Sequence, residues 1–227
     1  MQARHVRALL ARLDLDKPRD FQFSAQLTLS HELMLRGAEL CHLVVDNVRF
    51  AHGGMVEVTI GGAKTNRGKP PFSVWLADAG SPRMPSAARS LRQYYRKMGW
   101  ALRVPEAEVS PPLAVLPLFL KLEDRRRTFA TVKGNKALSV SAWRKQLRFW
   151  LDRAGFPSLQ FGSHGMRAGG NTDLLAFGLR PSFVAAAGRW SSGEWRKYNR
   201  PDAQLIATQA RVALDAAYRA ATRHSHA

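Results

Sequence analysis

His164 and Arg167 stand three residues apart in the stretch SHGMRAGG, residues 163–170. On a helix that spacing turns both side chains the same way. It sets a proton-transfer group beside a rigid guanidinium fork. Such a pair suits a phosphate, because Arg grips two oxygens while His moves a proton. A second stretch, GRWSSGEWRKYNRP (188–201), holds two Trp, four basic residues and Tyr198 within fourteen positions. A free phenol ionises only near about pH 10, so it attacks nothing at neutral pH without help. Cationic neighbours would supply that help and would also hold a phosphate in front of it. Trp190 adds one indole N–H, a donor that cannot titrate. Arg36 is followed three residues later by Glu39, a carboxylate suited to orienting a buried guanidinium. Lys64 lies in the Gly-flanked turn of GGAKTNRGKPP (61–71), where a lysine can reach outward. Each of these residues also has an ordinary reading as a packed aromatic or a solvated surface charge.

The hydrophobic pattern supplies elements to carry them. Residues 3–13 have a helical face made of Val6, Leu9, Leu10 and Leu13, closed by Lys17-Pro18. A second helix is expected over 22–43, with a stripe of Leu33, Gly37, Leu40 and Val44 and with Arg36 and Glu39 beside it. Three β-like runs follow, at 48–51, 55–60 and 72–77, with Gly53-Gly54 as a tight turn and the basic loop 61–71 as a connection. Helices are expected at 84–99, 139–155, 164–177, 181–188 and 202–221. Ser139 or Ser141 is the candidate N-cap of the 139–155 helix, and Pro181 and Pro201 open later ones. Between 103 and 117 four prolines mark a loop. The expected class is α+β, mostly α, with one small antiparallel meander.

Charge narrows the function. Thirty-five Lys and Arg oppose 17 Asp and Glu in 227 residues, a net charge of +18 and a pI near 11.2. Such a surface attracts polyanions, above all nucleic acid. The single cysteine, Cys41, excludes a disulfide framework and a Cys/His zinc cluster, and reads as a small buried residue. The N-terminal stretch lacks a signal-peptide core, and no apolar run approaches the roughly 18 residues of a membrane span. An intracellular protein is expected, nuclear if its source is eukaryotic and cytoplasmic or nucleoid if bacterial or phage.

Taken together and in order, Arg36, Lys64 in a hairpin, His164-x-x-Arg167, Trp190 and Tyr198 resemble the tyrosine recombinase, or phage integrase-like, catalytic domain. The resemblance covers about residues 1–220. LRGAELCHLVVDNV (35–48) resembles the family's first arginine motif, with an acidic residue three positions on. GGAKTNRGK resembles its hairpin lysine motif. SHGMRAGGNTDLLAFGL resembles its His-x-x-Arg helix, with the Gly-Gly of some eukaryotic mobile-element recombinases. In GRWSSGEWRKY a Trp precedes the Tyr by eight residues, as a His or Trp does in the family.

The resemblance implies a DNA breaking-rejoining catalytic fold with a small three-stranded antiparallel sheet. A single catalytic domain over residues 1–222 with a disordered tail at 223–227 is expected. The family usually carries an N-terminal core-binding domain, and its absence is expected here as a departure, since only about 35 residues precede Arg36. The resemblance implies that Tyr198 attacks the scissile phosphate to form a 3′-phosphotyrosyl link. Arg36 and Arg167 would clamp the non-bridging oxygens, and Lys64 would protonate the leaving 5′-oxygen. His164 would take the phenolic proton, Trp190 would donate its N–H to the phosphate, and Glu39 would orient Arg36. Arg67, Lys69, Arg189 and Lys197 are the expected further DNA contacts. The expected partner is double-stranded DNA, with no membrane. No cofactor and no metal are expected, since two guanidiniums supply the positive charge and no P-loop stands in the sequence. The family's C-terminal helix often joins neighbours, which implies a tetramer on DNA. The apolar side of 202–221 (Leu205, Ile206, Val212, Ala213, Leu214, Ala217) equally suits packing on its own domain. Two other functions share these residues: a DNA-binding module whose chemistry is unused, and type IB topoisomerase-like relaxation.

Overall fold

The computed structural model describes residues 1–61, 71–78, 81, 83–100, 116–122, 136–162, 165–189 and 203–223. Eight α-helices and three strands are named within them: α1 Ala3–Leu10, α2 Pro18–Glu32, α3 Gly37–Cys41, β1 Val48–Phe50, β2 Val56–Ile60, β3 Phe72–Leu76, α4 Ala87–Met98, α5 Val140–Arg153, α6 Gly165–Ala176, α7 Pro181–Gly188 and α8 Ala203–Arg223. The mostly helical class and the small sheet match the sequence expectation. None of the described helices is long and apolar enough to cross a membrane.

The sheet is an antiparallel meander in the order β1-β2-β3. Its register pairs Val48 with Val58 and Ile60 with Phe72. Alternation sets the burial of β2: Val56, Val58 and Ile60 face the core, while Glu57 and Thr59 are half-buried. Helix starts follow local chemistry. Ser139 accepts the backbone N–H of Ala142 at 3.1 Å and caps α5. Ser86 does the same for Arg89 on α4. Pro181 opens α7, as expected, with its fixed φ and missing N–H.

The N-terminal third departs from expectation. The helix expected over 22–43 is two helices, α2 and α3, with a sharp break at 33–36. Pro18 opens α2 at its first position rather than closing the helix before it. The break has the hydrogen bonding of a Schellman motif: Leu35 N–H donates to Ser30 O (2.9 Å) and Met34 N–H to His31 O (3.2 Å). Glycine usually fills the left-handed position of that motif. Here it is Met34, at φ 49°.

Helix α2 is the central element, buried from Phe21 to Glu32 and packed by α1, α3, α4 and α6. More than half of that run is polar, which hides its burial from hydropathy. Ser24, Thr28 and Ser30 return their hydroxyls to carbonyls of their own helix. Gln22 receives Tyr94 Oη at 2.8 Å and donates to Leu120 O at 2.9 Å. At the C-terminal end, His31 Nε2 meets Asp173 of α6 at 3.0 Å and Nδ1 meets Tyr218 of α8 at 3.1 Å. Arg211 of α8 pairs with the buried Glu32 at 2.8 Å. Burial opposes the Arg211 charge, but Glu32 and Asp215 outweigh it and hold the guanidinium ionised. These contacts bind α6 and α8 to α2.

Helix α8 also packs on α1, α7 and β3, with Ala213, Leu214 and Ala217 buried in the same chain and Val212 exposed. It runs through Arg223, one residue into the expected tail. Cys41 is buried and unpaired, as expected. Burial pushes its thiol up to about 11, which keeps it un-ionised.

Candidate active site

Arg36 is the N-cap of α3, not a mid-helix residue. Its backbone is extended (φ −73°, ψ 151°), and Glu39 at the third helical position reaches back to accept its N–H at 2.8 Å. This is the return half of a capping box, so the Arg-x-x-Glu spacing has a local purpose. The same carboxylate takes the Arg36 side chain, Nη1 to Oε1 at 2.8 Å. Glu39 is 1% exposed, while the Arg36 side chain remains 34% exposed. The carboxylate thus fixes a guanidinium that solvent, or a solvent-borne ligand, still reaches.

The end of α2 supplies the rest. A helix C-terminus leaves carbonyls without intrahelical partners and carries partial negative charge. Arg167 of α6 donates Nη1 to Met34 O at 3.3 Å and Nη2 to Gly188 O, at the end of α7. Arg189, the C-cap of α7, donates Nη1 to Leu33 O at 2.6 Å. Its Nη2 donates to Glu39 Oε2 at 3.1 Å and reaches Met34 O at 3.4 Å. Arg36, Arg167 and Arg189 therefore converge on one carboxylate and the ends of two helices. The Arg189 guanidinium also lies 5.5 Å from the centre of the Phe72 ring, at the start of β3.

Close approach makes this convergence work. A Cβ added at Gly170 would stand 2.7 Å from His31 O and 2.7 Å from Met34 Cγ. Only glycine lets α6 come this near to α2, and Arg167 lies one turn earlier on the same helix. The second glycine of the AGG sequence thus has a packing role. Two non-glycine residues in the left-handed region, Met34 and Arg189, flank the cluster. Such conformations cost on the order of 1–3 kcal/mol and persist where surrounding contacts over-determine them.

The electrostatics follow from burial and crowding. Burial pushes Glu39 up, but the Arg36 N–H and the Arg189 and Arg36 charges outweigh it. The carboxyl lies below its ordinary 4.5. Burial lowers Arg167, and Arg36 adds to that while Glu39 opposes it. Arg189 is lowered to about 10, first by burial and then by Arg167 and Arg36 against the pull of Glu39. The three guanidiniums carry one formal positive charge each. With Glu39 they sum to +2, three positive and one negative, on a face suited to an oxyanion.

The sequence reading named Arg189 as a DNA contact; in the structure its side chain is 9% exposed and bonded to Leu33, Met34 and Glu39. No local signal reveals it, because its partners lie more than a hundred residues away in sequence. Of the other expected site residues, Arg36, Glu39 and Arg167 come together. Lys64, Arg67, Lys69, His164, Trp190, Lys197 and Tyr198 lie outside the described residues. Among the described residues no group of three or more His, Cys, Asp or Glu side chains could hold a metal ion.

No protein-family model and no curated protein matches this sequence. Solved structures do match. The XerH site-specific recombinase bound to its difH substrate, in a pre-cleavage complex, aligns over 90% of this chain and 50% of its own, with a TM-score of 0.55 and 15% identity. A mutant Flpe–DNA Holliday junction complex aligns over 92% of this chain and 49% of its own, with a TM-score of 0.51 and 12% identity. This chain spans about half the length of either. At such identities the likeness is one of fold: the chain has the fold of a tyrosine recombinase catalytic domain.

Proposed function

We propose that this chain cleaves and rejoins DNA strands through a covalent 3′-phosphotyrosyl link on Tyr198, in site-specific recombination or integration. The observation that carries the reading is the convergence of Arg36 and Arg167, from distant parts of the sequence, around Glu39. Two guanidiniums side by side suit the non-bridging oxygens of one phosphodiester and the extra charge of its pentacoordinate transition state. The net charge of +18 suits the polyanion that carries it. The fold shared with DNA-bound recombinases points the same way.

The remaining roles rest on the sequence motifs. The Tyr198 oxygen attacks phosphorus and its proton passes to His164. The bond from phosphorus to the 5′-oxygen breaks, and Lys64 gives that oxygen a proton. Trp190 donates its indole N–H to the phosphate. The products are a protein–DNA ester and a free 5′-hydroxyl. Reversal by a second 5′-hydroxyl joins a strand without ATP, because the ester conserves the phosphodiester energy. General acid and base groups in such a step typically contribute about 10²–10⁴-fold each.

The test is a pool of randomised duplexes nicked near every cleavage position, so that cleavage releases a short fragment and traps the ester. Wild-type protein should give a covalent adduct on a denaturing gel, and Tyr198→Phe should give none. DNA binding without any adduct would sink the reading and leave a DNA-binding module on the same fold. Relaxation of plasmids regardless of sequence would turn it into a topoisomerase-like activity.

A further inference from the structure

We propose that Arg189 is a positioning residue, which neutralises Glu39 so that this carboxylate can orient Arg36 without cancelling the positive charge offered to a phosphate. The inference rests on the strand-transfer reading above and deepens it. Glu39 is buried and uses both oxygens: Oε1 takes the Arg36 side chain, and Oε2 takes the Arg36 N–H and Arg189 Nη2. Without Arg189, Glu39 would cancel one of the two remaining charges, those of Arg36 and Arg167, leaving +1 where the cluster has +2. Arg189 restores the missing charge from behind. Its Nη1 is anchored on Leu33 O at the negative end of α2, so it stays in place when Arg36 engages a ligand. The task suits a planar fork, which holds a carbonyl on one nitrogen and a carboxylate on the other in fixed geometry, where lysine has a single point charge on a flexible stem. Its left-handed backbone (φ 57°) is the cost of bringing that fork inward from the end of α7. The charged groups facing Glu39 among the described residues are Arg36, Arg167 and Arg189.

The experiment measures single-turnover cleavage of a nicked duplex at saturating DNA for wild type, Arg189→Met, Arg189→Lys, Glu39→Gln and the Arg189→Met/Glu39→Gln double variant, between about pH 5 and 8. Rates are taken as ratios to wild type, which cancels the titration of His164. Arg189→Met should cleave at least about tenfold more slowly while binding DNA within about threefold of wild type, because the loss falls on one oriented charge among many phosphate contacts. Its deficit should narrow as the pH falls. Burial, no longer opposed by Arg189, pushes Glu39 up, and protonation removes the uncancelled charge. Glu39→Gln should relieve the Arg189→Met defect for the same reason, giving a strongly non-additive cycle. Arg189→Lys keeps the charge, so its deficit should be shallower and flat in pH. A role in packing alone predicts equal, pH-independent deficits in Met and Lys that Glu39→Gln does not relieve, and that outcome overturns the proposal, as does Arg189→Met at the wild-type rate. Wild-type protein without adduct overturns the strand-transfer reading and this inference with it, whereas wild-type adduct with the wrong variant pattern overturns the inference alone.

Discussion

Replacing Gly170 by alanine sets two opposite effects against each other at one helical position. Alanine is favoured over glycine inside a helix by about 1 kcal/mol, so an open site would be stabilised. Gly170 is not open. The new Cβ would meet His31 O and Met34 Cγ, both at 2.7 Å. The methionine side chain can turn aside, but the carbonyl belongs to the last turn of α2 and already accepts Met34 N–H. Relief therefore requires α6 to retreat from α2 by several tenths of an ångström. Forcing one extra carbon into a packed contact costs roughly 1–3 kcal/mol. Set against the propensity gain, the net loss is about 0–2 kcal/mol. The retreat also lengthens the 3.3 Å contact from Arg167 to Met34 O beyond hydrogen-bonding range. A reacting group misplaced by about 1 Å can cost 10²-fold, so cleavage should fall by about 10- to 100-fold. Urea unfolding gives the first quantity and single-turnover adduct formation the second. Gly165→Ala is the control, since its Cβ would meet nothing closer than 3.8 Å, and its stability should stay within about 0.5 kcal/mol. A Gly170→Ala protein more stable than wild type by about 1 kcal/mol, with cleavage unchanged, would refute the close-approach argument.

Two further outcomes are expected. Arg167→Ala should abolish adduct formation while DNA binding changes little, because one phosphate contact is lost among many. It should also lower stability by about 1–3 kcal/mol through the lost hydrogen bonds to the carbonyls of Met34 and Gly188, and a large binding loss with unchanged saturated cleavage would contradict the role. His5 lies against Phe156 and Phe161 at 4.7 and 5.0 Å, and burial, then Arg4, lowers it from 6.5 to about 4. The unfolded chain binds this proton first, so the contribution is complete above pH 6.5 and is lost as the pH falls from there towards 4. Wild type should lose on the order of 1–3 kcal/mol over that window through this group, and a His5→Phe variant with an identical urea-midpoint profile would remove the assignment.

The sequence by itself determined what depends on near neighbours. Period-two alternation set the β2 register and its buried face. Ser139 and Pro181 marked helix starts because capping and a fixed φ act within a few residues. The three-residue spacing of Arg36 and Glu39 carried their pairing, although through an N-cap and its third position rather than along one helix face. The basic excess, the order of the motifs and the α+β class were equally legible. The break at 33–36 was not, since an apolar stripe continues across it and the turn uses methionine where glycine would have signalled it. Only the tertiary structure made α2 the buried centre, because Gln22, Ser24, Thr28, Ser30, His31 and Glu32 bond within their own helix or to other elements while hydropathy reads them as exposed. Only the tertiary structure turned Arg189 inward and gave Gly170 its purpose. Both depend on how closely α6 and α7 approach the end of α2, a distance fixed by packing between segments far apart in the chain.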